Sequence, residues 1–159
     1  HLSIRRQRQM CIRDRVNKWD LAGDKSTGEC SRFIRSRLKF MPYAPILYIS
    51  AKFGQGVDKV MPQAVQVYQE RLKRLPIATV NSVIRQAVAA HSLPRVGGKE
   101  LKILHATQTE INPPTFVFVV NDAKLIHFSY RRYLENKLRQ SFGFAGTPIH
   151  LVFKSRGES

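Results

Sequence analysis

The spacing of apolar positions changes several times along the chain, and each change marks an element. From Val16 a short motif, Val16-Asn17-Lys18-Trp19-Asp20-Leu21, gives way to a polar loop. Phe33, Ile34 and Leu38 then recur at helical spacing, which predicts a strand end, a loop and a helix. Pro42 and Pro45 punctuate the next turn. Ile46-Leu47-Tyr48-Ile49 is a short, nearly continuous apolar run of the kind buried on both faces of a parallel sheet. The loop Gly54-Gln55-Gly56 leads into a helical pattern in which Val57, Val60, Met61, Ala64, Val65, Tyr68 and Leu72 form one apolar stripe. Pro62 within it calls for a late helix start or a kink.

Leu75-Pro76 interrupts this pattern after a charged helix end, and the domain junction is placed there. The second unit reads helix, strand, strand, helix, strand. Its first helix carries Ile77, Val80, Val83, Ile84, Ala87 and Val88 on one side and ends before Pro94 and Gly97-Gly98. Lys99 to Gln108 alternates as a strand, Asn112-Pro113-Pro114 turns the chain, and Thr115 to Val120 is apolar enough for a central strand. A helix from Ser129 to Phe142 turns Tyr130, Tyr133, Leu134, Leu138 and Phe142 to the core. A last strand, Pro148 to Lys154, points Ile149, Leu151 and Phe153 one way. The fold class is α/β, built as two small layered units of different topology.

Composition narrows the partners. The 159 residues include 27 Lys and Arg against 11 Asp and Glu, a formal charge of +16. The excess is spread over the whole chain, and such a charge concentrates polyanions around the protein. No apolar run approaches the roughly 18 to 20 residues that span a bilayer, so no membrane partner is expected. Cys11 and Cys30 have no metal-type spacing with each other or with the histidines, and a reducing cytoplasmic setting fits them. His91, His105, His127 and His150 do not converge on a carboxylate or thiol at catalytic spacing, so no catalytic residue and no metal site is assigned.

The chemistry is concentrated in two short motifs. In Asn17-Lys18-Trp19-Asp20, the Asp20 carboxylate suits the paired N–H donors on one edge of guanine. Adenine lacks that pair and would leave the carboxylate unsatisfied. Asn17 would contact the base and hold neighbouring loops, and the Lys18 stem would lie across the ring. A post-strand turn alone also favours Asn and Asp. Ser50-Ala51-Lys52 changes the weighing, because it ends the next strand, and ligands of open parallel sheets bind beyond the carboxyl ends of strands.

With both motifs in place, Val16 to Arg74 resembles the last strands and helices of a translation-factor-type GTPase domain. Residues 77 to 159 resemble the C-terminal domain of the bacterial ribosome-assembly GTPase family Der, also called EngA. The likeness is carried by Asn81 to His91, Ala106-Thr107-Gln108, Pro113-Pro114-Thr115-Phe116, Val120-Asn121-Asp122, His127 to Asn136, and Gly146-Thr147-Pro148-Ile149.

The resemblance implies an incomplete P-loop-GTPase-type α/β segment over 16–75, followed by a KH-like α+β domain over 76–159. It also implies that the Ala51 N–H meets the guanine carbonyl while Ser50 braces the loop. GTP or GDP and magnesium are implied for the full-length family, with tandem GTPase domains and a cytoplasmic role in large-subunit assembly through ribosomal RNA. The partners implied are that subunit, its RNA and the remaining GTPase domains.

The sequence also departs from the family. It contains no Gly-Lys-Ser or Gly-Lys-Thr phosphate loop, so GTP hydrolysis and stable nucleotide binding by this chain alone are not expected. Arg13-Asp14-Arg15 stands where the family has an apolar strand, so the strand before Asn17 is expected to form poorly. Residues 1–15 read as a basic segment foreign to the family and without fixed structure.

For RNA, the candidate contacts are Arg131, Arg132, Lys137 and Arg139, with Arg132 and Arg139 sharing a helix face away from the core. That face could equally be a solvated surface. Gly143-Phe144-Ala145-Gly146 resembles a KH backbone clamp, but reads more simply as a helix cap and turn. Phe116, Phe118, Tyr130 and Tyr133 fit core packing better than base stacking. Two other classes stay open: a stand-alone basic RNA-binding module without nucleotide binding, and a protein-interaction domain with an exposed apolar face.

Overall fold

A computed structural model describes residues 14–23, 26–39, 41–91, 95–96 and 98–157. The elements run β1 (Asp14–Val16), α1 (Thr27–Arg37), β2 (Ile46–Tyr48), α2 (Val60–Arg71), α3 (Ile77–Ala90), β3 (Arg95–Val96), β4 (Lys99–Glu100), β5 (Ile103–Ile111), β6 (Pro114–Val120), α4 (Phe128–Phe142) and β7 (His150–Ser155). They fall into two compact units. One runs to Glu70 and takes in Ala145–Pro148, and the other holds Arg71–Phe144 and the chain from Ile149.

In the first unit β1 and β2 pair in parallel, with Asp14 opposite Ile46 and Val16 opposite Tyr48. The strand before Asn17 therefore forms, over three residues, although its sequence is charged. A parallel ladder is made by backbone groups, which every residue supplies. Asp14 and Arg15 thus belong to the sheet, and not to the basic N-terminal segment; the rest of that segment, including Arg13 and Cys11, lies outside the described residues.

Helix α1 starts at a capping box. The Ser26 hydroxyl accepts from the Glu29 N–H, and the Glu29 carboxylate accepts from the Ser26 N–H. Helix α2 starts late, with Pro62 in its first turn, after a 3-10 turn over Val57–Lys59.

The apolar stripe of α2 does not reach a core. Met61, Val65 and Tyr68 are 69%, 50% and 54% exposed, and Val67 is the fully buried residue of the helix. Strand β2 is likewise only half-buried along its length. Periodicity identifies an apolar face, but burial requires a second layer, and a two-stranded sheet supplies little of one. Val67 instead meets Gly146, whose φ is +70° and whose backbone comes so near that an added Cβ would lie 2.6 Å from a Val67 methyl. The Gly146 N–H donates to the Tyr43 carbonyl at 3.0 Å.

The second unit is a three-stranded sheet in the order β5-β6-β7, with β5 antiparallel and β7 parallel to β6. Strand β6 is central, and Phe116, Phe118 and Val120 on it are fully buried. Helices α3 and α4 contribute Val80, Ile84, Ala87, Tyr130, Leu134 and Leu138 to the same core. The strand expected over Lys99 to Gln108 is divided: Lys99–Glu100 pairs with Arg95–Val96, and β5 begins at Ile103. Asn121 fixes this break, accepting from the Lys102 N–H and donating to the Glu100 carbonyl, both at 2.8 Å.

The two compact units divide the chain at particular residues. The compact second unit begins at Arg71, five residues before Pro76, because Lys73 and Leu75 are tied to Gln108. The Gln108 amide donates to the Lys73 carbonyl and accepts from the Leu75 N–H, each at 2.8 Å. Ala145–Pro148 clusters with the first unit despite its late place in the chain.

Candidate nucleotide-base site

The two motifs come together because parallel pairing puts the ends of β1 and β2 side by side. The ladder continues past both strands: the Ile49 N–H donates to the Val16 carbonyl at 2.9 Å, and the Trp19 N–H donates to the Ile49 carbonyl at 3.0 Å. Lys18 then adopts a left-handed conformation, φ 60° and ψ 39°, which turns the chain into a short 3-10 turn over Trp19–Leu21. Across from it, Ser50 bridges to Gln55. That loop closes at Gly56, where φ is +68° and a Cβ would sit 2.7 Å from the Tyr48 carbonyl oxygen, so no side chain fits.

Asn17, Lys18, Asp20, Leu21, Ser50, Ala51 and Lys52 line one cavity of about 240 Å3. All six residues singled out from the sequence are in it. The fully buried Ser50 hydroxyl donates to Asp20 Oδ1. Asp20 itself is exposed and lines the cavity, and the bond to Ser50 uses one of its two carboxylate oxygens. Asn17 Oδ1 accepts from the Lys18 N–H at 2.8 Å and from the Ala51 N–H at 3.2 Å. Asn17 thus holds both loops, and the Ala51 N–H, which the resemblance assigns to the base, is directed at Asn17. Lys52 lies beside the exposed Phe53 ring, with Nζ 5.1 Å from its centroid.

Sequence reasoning missed the aromatic support. Trp19 packs on Tyr48 with centroids 4.5 Å apart. The Tyr48 hydroxyl is 2.7 Å from Ser31 Oγ and donates to the Thr27 carbonyl at 3.1 Å. An aromatic at the free position of the first motif, and another in the next strand, were the available signal.

The four cationic candidates on α4 do not form one open surface. Arg131 donates to the Leu151 carbonyl of β7. Lys137 lies over the Tyr133 ring, 5.7 Å from its centroid. Arg139 is bonded to Glu135 Oε1 at 2.9 and 3.1 Å and to the Phe144 carbonyl at 2.9 Å, with its side chain 13% exposed. Arg132 is exposed. Arg132 and Arg139 lie seven residues apart on one helix, and on that face Glu135, four residues before Arg139, pairs with it. Phe144, beyond the C-cap Gly143, is fully buried.

Among the described residues no group of three His, Cys, Asp or Glu could hold a metal ion, and no helix is long and apolar enough to cross a membrane.

Comparison with known proteins decides the family. The model of the KH-domain-like C-terminal region of EngA bacterial GTPase enzymes matches residues 74–154, half of the chain. The chain belongs to that family. Curated relatives include the GTPase Der of Clostridium acetobutylicum, 50% identical over 143 residues, which is 89% of this chain and 33% of that protein. The GTPase Der of Desulfitobacterium hafniense is 48% identical over 145 residues, 90% of this chain and 33% of that protein. The GTPase Der of Thermomicrobium roseum is 45% identical over 148 residues, 91% of this chain and 32% of that protein. The chain thus spans about a third of the length of the curated relatives it matches.

Proposed function

We propose that the first unit recognises the guanine base of GTP or GDP, and that the chain works as part of a GTPase engaged in ribosome assembly. The observation that carries the first statement is the Ser50–Asp20 hydrogen bond. It fixes an exposed carboxylate at the carboxyl end of a parallel strand pair, in a cavity of base-accommodating size. A carboxylate held by one oxygen still accepts from guanine N–H groups through the other. Magnesium and phosphate binding are not assigned to residues of this chain.

The test is direct because Trp19 is the single tryptophan and adjoins Asp20. Its fluorescence should change on titration with GDP and not with ADP. Asp20→Ala should remove a charge-assisted pair worth about 1.5–3 kcal/mol, a weakening of roughly 10- to 150-fold. Asp20→Asn should exchange preference from guanine to xanthine, whose extra carbonyl needs a donor. An equal response to ADP, or none to GDP, would overturn the reading.

The KH-like unit is proposed to meet ribosomal RNA of the large subunit. Residues 76–159 carry 11 Lys and Arg against 5 Asp and Glu, a formal +6, which supports this, and Arg131 and Arg132 are the exposed α4 cations. RNA affinity should fall steeply with salt, with a flatter slope for Arg132→Ala; a salt-independent affinity would count against RNA contact.

A further inference from the structure

A second depression lies in the KH-like unit, at the open edge of its sheet. Ile84, Arg85 and Val88 of α3 and Ile103, Leu104 and His105 of β5 are among the residues that line it, around a volume of about 240 Å3. Three consecutive strand residues facing one cavity is not possible in a regular strand, where neighbours point to opposite sides. The register of β5 against β6 slips between Ile103 and His105, which leaves Leu104 as the irregular residue. Such irregularities re-aim a side chain and recur at sheet edges and binding sites. Leu104 is accordingly 48% exposed at the rim, while Ile84 forms the floor at 3%.

The polar groups around this depression divide into spent and unspent. Asn81 is spent: its amide donates to the Ile77 and Ala106 carbonyls, both at 2.8 Å, and accepts from the Ala106 N–H at 2.9 Å. Arg85 and His105 are exposed and make no hydrogen bond or ion pair among the described residues. The walls contain no Phe, Tyr or Trp and no free amide to read a base edge; the His105 ring and the Arg85 guanidinium are the planar groups present, so an oligonucleotide is the rival ligand to be tested. Strand addition is also blocked, since Asn81 already occupies both backbone groups of Ala106.

We propose that this depression receives one branched apolar side chain from an acidic segment of a partner protein, with flanking carboxylates on Arg85 and His105. The apolar floor takes the side chain, the unpaired Arg85 guanidinium selects the sign of the flanking charge, and the His105 ring offers a hydrogen bond beside it.

The experiment uses the full chain, labelled for amide NMR. It is titrated with a capped hexapeptide holding one leucine between glutamates, with the same peptide carrying lysines instead, and with heptauridylate. The acidic peptide should shift resonances of Arg85, Val88, Leu104 and His105 and saturate. Arg85→Glu should weaken it about fivefold or more, and Leu104→Asp should do likewise with the thermal midpoint retained. The proposal is overturned if the acidic peptide causes no shift at these residues, if the lysine peptide binds as well, or if heptauridylate alone saturates the site.

Discussion

The buried Ser50 hydroxyl donates to Asp20, thirty residues earlier in the chain. This bond joins the two motifs more directly than any backbone contact. It aims the carboxylate without neutralising it, so the residue that would discriminate guanine is positioned by a neighbour that touches no base. Ser50→Ala should therefore leave the chain folded, at a cost of about 1 kcal/mol, and weaken GDP binding about three- to tenfold through a carboxylate free to rotate. Trp19 fluorescence titration beside a thermal melt separates the two effects.

How far the sequence alone disclosed this site follows from the kind of information each residue carries. Asn17, Asp20 and Ser50 were legible because their chemistry and their place at strand ends are local. The Trp19–Tyr48 stack and the closure of Ala51 onto Asn17 depend on which side chains face each other across the parallel pair, and residue identity does not fix that. On α4, apolar spacing correctly located Tyr130, Leu134 and Leu138 in the core. It could not show that Arg139 is consumed by Glu135, since helical spacing reports direction and not partnership.

Asn81 substitutes for a neighbouring strand at Ala106, satisfying both its N–H and its carbonyl. Asn81→Leu keeps the volume and strands both groups, which should destabilise the KH-like unit by about 2 to 3 kcal/mol. It should also uncover a sheet edge. Denaturant unfolding and light scattering at rising concentration should report a lower midpoint and new aggregation together; a change in neither would contradict the role given to Asn81.

The glycines offer a paired test of opposite sign. Gly146→Ala forces a Cβ against both Val67 methyls, at 2.6 and 2.9 Å, in a backbone conformation with φ +70°, and should cost roughly 2 kcal/mol or more. Gly28 lies inside α1 with only Ser26 Oγ within reach, at 3.8 Å. Gly28→Ala should stabilise by about 0.5–1 kcal/mol. Thermal unfolding of both variants measures the difference.

The exposed stripe of α2 separates stability from association. Met61 and Val65 are 69% and 50% exposed, so replacing both by Gln should change the melting free energy by about 0.5 kcal/mol or less. The same change should reduce any self-association that is insensitive to salt, because an apolar contact is not screened. Sedimentation at two salt concentrations would show it, and a large loss of stability would mean that the stripe is packed in solution.

Tyr130 gives the KH-like unit a pH dependence of defined sign. Burial, with a smaller contribution from neighbouring Tyr133, pushes its phenol from 10.0 up to about 12. Its hydroxyl donates to the His91 carbonyl at 3.3 Å, a bond available to the neutral form alone. A folded pKa above the unfolded one means that the folded state holds the proton more tightly. The stabilisation is complete below pH 10 and is lost as pH rises through about 12. At pH 11 the loss should be about 1 kcal/mol relative to pH 9. The comparison is with Tyr130→Phe, which lacks the ionisable group and keeps the ring. The variant should start lower at pH 9, by about 1 kcal/mol for the missing hydrogen bond, and decline less steeply above pH 10. Parallel slopes for the two proteins would place the alkaline sensitivity elsewhere.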